Sequence, residues 1–127
     1  MIVPFLFIAP TALMGRGVYT SEHIAAGTVV EISPVVVMSA EERKLLDQTA
    51  LHDYIFEWGD DSTQCCMAMG YVPVYNHSYK SNCEYVMDYP NQQISITTVR
   101  EIKKGEELLI NYNGDWDDET PLWFNAE

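Results

Sequence analysis

Positive charge is scarce: Lys and Arg number seven against nineteen Asp and Glu, a formal net charge of −12. Direct nucleic-acid binding depends on basic side chains that neutralise phosphates, so this balance argues against a nucleic-acid partner. An acidic surface suits a cationic protein, whose encounter rate it raises, although solubility alone accounts for many acidic chains. Cysteine is sparse too, limited to Cys65, Cys66 and Cys83. An odd count, with two thiols adjacent and no Cys-x-x-Cys pair, excludes a disulfide framework and gives no zinc site, so buried free thiols and no metal are expected. Long hydrophobic runs are also missing. No stretch approaches the ~20 apolar residues of a membrane span. The apolar start, Met1 to Pro10, lacks a basic lead and is broken by Pro4 and Pro10, unlike a signal peptide. These features predict no membrane partner and a cytoplasmic protein. Internal repeats, linkers and low-complexity segments are absent. The 127 residues make one domain, 1–127, long enough to bury about two-thirds of the unfolded surface without staples.

What is present is a series of short apolar runs separated by turn signals. Val3 to Ile8, Val18 to Thr20, Thr28 to Ile32 and Val35 to Met38 read as strands. One helix follows: Ser39 is placed as N-cap with Glu42 at the third helical position, a capping box, and Leu45 and Leu46 supply an apolar stripe. Asp47 to Leu51 should fray that helix out. Tyr54 to Trp58, Cys65 to Met69, Tyr71 to Tyr75, Ile94 to Val99 and Leu108 to Tyr112 read as further strands, with Ser and Thr of the Ile94 segment pointing outward. Gly59-Asp60-Asp61-Ser62 is a turn. Many strands with one helix predict a mostly β domain.

Three segments could carry chemistry. Gly15-Arg16-Gly17 would let the backbone approach a ligand closely, although taken alone it is better explained by an ordinary turn. Asn76-His77-Ser78 with Asn82-Cys83 gathers hydrogen-bonding groups at a strand end, for which a buried turn cluster is the plain alternative. Lys103-Lys104-Gly105-Glu106-Glu107-Leu108-Leu109-Ile110-Asn111-Tyr112 is a basic turn leading into a strand that ends on a tyrosine, and a lone tyrosine is more often a packing residue than a catalyst.

Taken in order, Gly-Arg-Gly-Val-Tyr, Asn-His-Ser-x-x-x-Asn-Cys and Lys-Gly-Glu-Glu-Leu-x-x-Asn-Tyr resemble the SET-domain protein-lysine methyltransferases. His23 to Glu31 and Val99 to Ile102 resemble the segments that follow the first motif and precede the last. The resemblance spans residues 3 to 114, leaving 115–127 as a short acidic and aromatic tail. It implies a β-clip of short curled sheets with one or two short helices, in which the second and third motifs cross as a pseudoknot. It implies S-adenosylmethionine as cofactor, lined by Gly15, Arg16 and Gly17 and held by Asn76 and His77. Tyr112 would be both cofactor contact and catalytic tyrosine, and Tyr54, Tyr85 and Ile110 would wall the lysine channel. The implied partner is a basic protein or peptide, histone or histone-like or ribosomal, which would place a eukaryotic or host-delivered enzyme in the nucleus or on chromatin.

Several positions depart from the family pattern. Ser81 stands where the turn often has proline, which would loosen it. Ile110 is neither Phe nor Tyr, while Tyr85 resembles members that stop at one methyl group. No zinc-binding cysteines follow the domain; Trp116 and Pro121-Leu122-Trp123-Phe124 instead resemble members that cover the adenine with a C-terminal aromatic, with Trp123 in that place. Simple tail packing is the other reading of Trp123. Missing flanking domains leave little surface to grip a peptide, so a homodimer is expected. Against the enzyme stand a non-catalytic module of the same fold that binds cofactor or peptide, and an unrelated acidic β protein with chance motifs. Together Asn76, His77 and Tyr112 favour the enzyme.

Overall fold

The computed structural model describes residues 1–112, which fold into two curled sheets. The strands are β1 (Leu6–Pro10), β2 (Arg16–Thr20), β3 (Val29–Met38), β4 (Phe56–Trp58), β5 (Gln64–Ala68), β6 (Asn76–His77), β7 (Cys83–Asp88), β8 (Gln93–Thr98) and β9 (Glu107–Ile110). Among the described residues the one α-helix, α1, spans Ala40–Leu46. The four-stranded sheet has the order β1-β2-β9-β6 and the five-stranded sheet the order β4-β5-β3-β8-β7. The expected mostly β architecture of short curled sheets is therefore present.

The five-stranded sheet curls until its edges meet. Phe56 on edge strand β4 packs edge-on against Tyr85 on the opposite edge strand β7, with ring centroids 5.3 Å apart. Trp58 meets Tyr89 in the same way at 4.7 Å. Each pair adds about 1 kcal/mol beyond its buried area, so aromatic contacts close a gap that no ladder spans. Strand β3 runs unbroken through Pro34, where two separate strands were expected. Its residues up to Pro34 pair with β8 and those from Val35 pair with β5. The proline thus sits where one ladder hands over to the other, so its missing N–H breaks neither.

The core holds Val18, Val30, Ile94, Ile96, Ile102, Leu108 and Ile110, all fully buried. In β8 Ile94 and Ile96 face inward and Ser95 and Thr97 are less buried, as expected, but Thr98 is buried as well, its hydroxyl donating to the Ala25 carbonyl at 2.8 Å. Cys65, Cys66 and Cys83 are buried free thiols.

Two expectations give way. Tyr71 to Tyr75 is not a strand but holds a 3-10 turn at Val72–Val74. The Glu31 carboxylate accepts the Tyr71 and Val72 N–H groups at 2.8 and 3.2 Å, and Pro73 has none to donate, so the segment has few donors left for a ladder. The helix also packs less than its Leu pair suggests: Leu45 is 68% exposed and α1 has no buried residue. Its seven residues form two turns held by the Ser39–Glu42 capping box, with both bonds at 3.1 Å. Arg43 ties it down through the Ser62 carbonyl and Glu57.

Candidate active site

The second and third motifs meet on β9. Strand β6 lies parallel to it, pairing Asn76 with Leu109 and His77 with Ile110. A few residues on, the Asn82 side chain straps the same strand from its other limb: Oδ1 accepts from the Leu109 N–H and Nδ2 donates to the Glu107 carbonyl, each at 2.8 Å. The 76–82 segment therefore embraces β9, as the expected crossing requires. The turn that Ser81 was expected to loosen is braced from outside, because the Arg100 guanidinium donates to the Ser81 carbonyl at 2.6 Å and to the Lys80 carbonyl at 3.3 Å.

Beside this crossing lies a cleft of about 920 Å³. Gly15, Arg16, Tyr54, Asn76, His77 and Tyr112 all line it, so residues from four distant stretches of sequence share one wall. The Arg16 carbonyl accepts from Asn76 Nδ2 at 3.0 Å, which fastens the first motif to the second. Gly15 has φ +70°, the left-handed region that glycine enters without strain. Gly17 serves another purpose. A Cβ there would overlap the Glu107 carboxylate and the Thr11 methyl, so the second glycine exists to let that carboxylate in.

Tyr112 is tethered at three points. Its hydroxyl donates to the Tyr75 carbonyl at 2.8 Å, its N–H donates to His77 Nδ1 at 3.0 Å, and its carbonyl accepts from the Tyr85 hydroxyl at 3.3 Å. The His77 ring packs edge-on against Tyr79 and tilted against Tyr112. Burial, reinforced by the negative charges of Asp53 and Glu107, pushes the Tyr112 phenol up to about 12. The hydroxyl therefore stays protonated at neutral pH and acts as a donor.

Gly17, Ile110 and Tyr85 are not among the residues that line the cleft. Ile110 is fully buried in the core and does not line the cleft. Alternation along β9 explains why: Leu108 and Ile110 face the core, which leaves Glu107 and Leu109 to face the cleft. Tyr85 stands behind Tyr112 and Phe56 rather than on the cleft surface. Trp123 lies outside the described residues. Sequence reasoning missed Leu13, Met14, Asp53, Phe56, Val74 and Glu107, all of which line the cleft. Only Glu107 had a usable signal, since it shares a strand face with Leu109 inside a motif already singled out. Asp53 sits in a 3-10 turn, Ala50–Asp53, where only helix fraying was expected.

Comparison with known proteins agrees with this geometry. The SET domain family model matches residues 15–113. A histone-lysine N-methyltransferase, H3 lysine-37 specific, of Schizosaccharomyces pombe is 40% identical over 123 residues, covering 96% of this chain and 78% of that protein. A crystal structure of a Plasmodium falciparum protein assigned as a histone methyltransferase superposes with a TM-score of 0.68 at 28% identity, covering 91% of this chain and 98% of that one. With its three motifs gathered on one cleft and the family model matching most of its length, the chain belongs to the SET-domain family of protein-lysine methyltransferases.

Proposed function

We infer that the protein transfers a methyl group from S-adenosylmethionine to the ε-amine of a lysine in a basic protein of the histone class. The observation that carries this reading is Tyr112, whose hydroxyl is fixed by the Tyr75 carbonyl on the wall of a cleft shared with Asn76, Gly15 and Arg16. The residues present fit the cofactor. The cleft has the size of a small-molecule site. Arg16 offers a cation to a carboxylate, and Leu13, Met14, Val74 and Leu109 offer apolar surface to an adenine. Asn76 would hold the amino-acid end, with His77 toward the adenine and Trp123 as its cover. Bound there, S-adenosylmethionine supplies an electrophilic methyl on a sulfonium.

The chain's own residues must then present a neutral amine. A lysine of pKa about 10.4 is protonated near pH 7, and forming the free amine costs about 4 kcal/mol. Tyr54 and Phe56, backed by Tyr85, make an aromatic wall that disfavours the ammonium by desolvation. The neutral Tyr112 hydroxyl and the Tyr75 carbonyl orient the acceptor, which is catalysis by positioning. A net charge of −12 supports a basic protein as substrate, and the likeness to a histone-lysine methyltransferase supports chromatin as its place of action.

The test is tritiated methyl transfer from S-adenosylmethionine to core histones. Tyr112→Phe is expected to lower kcat roughly a hundredfold while leaving affinity for the demethylated cofactor within about threefold. Full transfer by that variant would remove the role given to the hydroxyl, and no transfer by the wild type to any basic protein would overturn the reading.

A further inference from the structure

Glu107 carries a carboxylate into the cleft, and none of the roles above uses it. Its Oε2 accepts from Asn76 Nδ2 at 2.8 Å. The same nitrogen donates to the Arg16 carbonyl at 3.0 Å. A carboxylate and a carbonyl are both acceptors only, so the orientation of the Asn76 amide follows from chemistry: both N–H groups are taken by protein acceptors, Glu107 and Arg16. Asn76 lines the cleft and its amide oxygen accepts no hydrogen bond among the described residues. What the amide can offer a ligand is therefore an acceptor, on an amide whose nitrogen is held by a carboxylate.

An acceptor polarised in that way selects a cationic donor and disfavours an anion. The amino-acid end of the cofactor carries one of each, an α-ammonium and a carboxylate. We propose that Glu107 is a positioning residue that locks the Asn76 amide with its oxygen toward the ligand, so that the protein reads the cofactor's α-ammonium. The inference rests on the cofactor reading given above. It also explains Gly17, since any side chain there would occupy the place of the Glu107 carboxylate. Asn82 fixes the backbone of Glu107 through its carbonyl at 2.8 Å, so the carboxylate is presented from a strand held in place. With glutamine at this position the acceptor would gain a competing donor and lose its charge, and the Asn76 amide would be free to turn over.

The experiment is calorimetric titration of the full chain and of Glu107→Gln with S-adenosylhomocysteine and with its analogue lacking the α-amino group. The wild type should prefer the amino-bearing ligand by about tenfold or more, the range of a hydrogen bond to a charged group. Glu107→Gln should lose about tenfold or more in affinity for S-adenosylhomocysteine, lose little for the deaminated analogue, and so nearly abolish the preference. Glu107→Asp, which keeps the charge, should retain part of it. Equal losses for both ligands would mark Glu107 as structural and overturn the proposal, as would failure of both variants to fold. A wild type that binds both ligands equally would overturn it while the cofactor reading stands. A wild type that binds neither would fell the cofactor reading and the proposal together.

Discussion

At Gly17 the absence of a side chain is what the site depends on. Gly17 sits where a methyl group would collide with the Glu107 carboxylate, so Gly17→Ala must either push β9 away or displace the carboxylate from Asn76. Overpacking of this kind costs about 1–3 kcal/mol. The expected outcome is a lower denaturant midpoint together with weakened S-adenosylhomocysteine binding, followed by chemical denaturation and calorimetry. A variant with unchanged stability and binding would show that the strand has room. The cysteines behave differently. Burial raises the Cys66 and Cys83 thiols to about 12 from the ordinary 9 and raises Cys65 as well. Since the thiolate is the reactive form, none of them should react with a thiol-specific disulfide reagent at pH 8 in the native state. Release of three equivalents on denaturation is the control; rapid native labelling would count against their burial.

At the scale of elements, the turn before β6 depends on one buried carboxylate. Glu31 is fully buried on β3 and accepts from Ser33 Oγ at 2.6 Å, the Tyr71 and Val72 N–H groups, and the Tyr75 hydroxyl at 3.1 Å. The Tyr75 carbonyl in turn receives the Tyr112 hydroxyl. Glu31→Ala strips this turn of its acceptor and leaves buried donors unsatisfied, at a cost of about 3 kcal/mol or more. It should also lower kcat, because the carbonyl that orients Tyr112 is no longer fixed. Tyr75→Phe removes one bond and keeps the carbonyl, so about 1 kcal/mol of stability and little activity should be lost. Urea denaturation beside methyl-transfer assays distinguishes the two; equal effects from both substitutions would refute the idea that the turn itself is what matters.

For the whole molecule, charge and burial govern its response to solution conditions. With a net charge of −12, attraction to a basic peptide acts over about a Debye length, ~10 Å at 0.1 M salt. Raising salt from 0.05 to 0.5 M should therefore raise KM for a basic peptide severalfold with little change in kcat. A salt-insensitive KM would argue that charge does no recruiting. The pH response follows from the raised thiols and phenol. Cys66, Cys83 and Tyr112 each move up to about 12 in the folded chain, from ordinary values of 9, 9 and 10. The fold favours their protonated forms. That stabilisation is complete below about pH 9 and is lost as pH rises toward 12. Denaturant midpoints should be level from pH 7 to 8.5 and fall beyond 9.

The sequence by itself determined most of the strands, the capped helix, the three motifs and the family, because each of these rests on local rules. Alternation marks Ile94 and Ile96 as core, and the capping box marks Ser39. The motif order holds the identities of Gly15, Arg16, Asn76, His77 and Tyr112. Tertiary structure decided what depends on partners distant in the chain. Tyr71 to Tyr75 became a turn because Glu31, about forty positions earlier, takes its donors. The Leu45 stripe found nothing to cover it. Ile110 went to the core and Glu107 to the cleft because the register of β9 between β2 and β6 fixes which face each side chain occupies. Strand parity is a local property, but the meaning of each face is set by what the fold places against it, and those neighbours come from far along the chain.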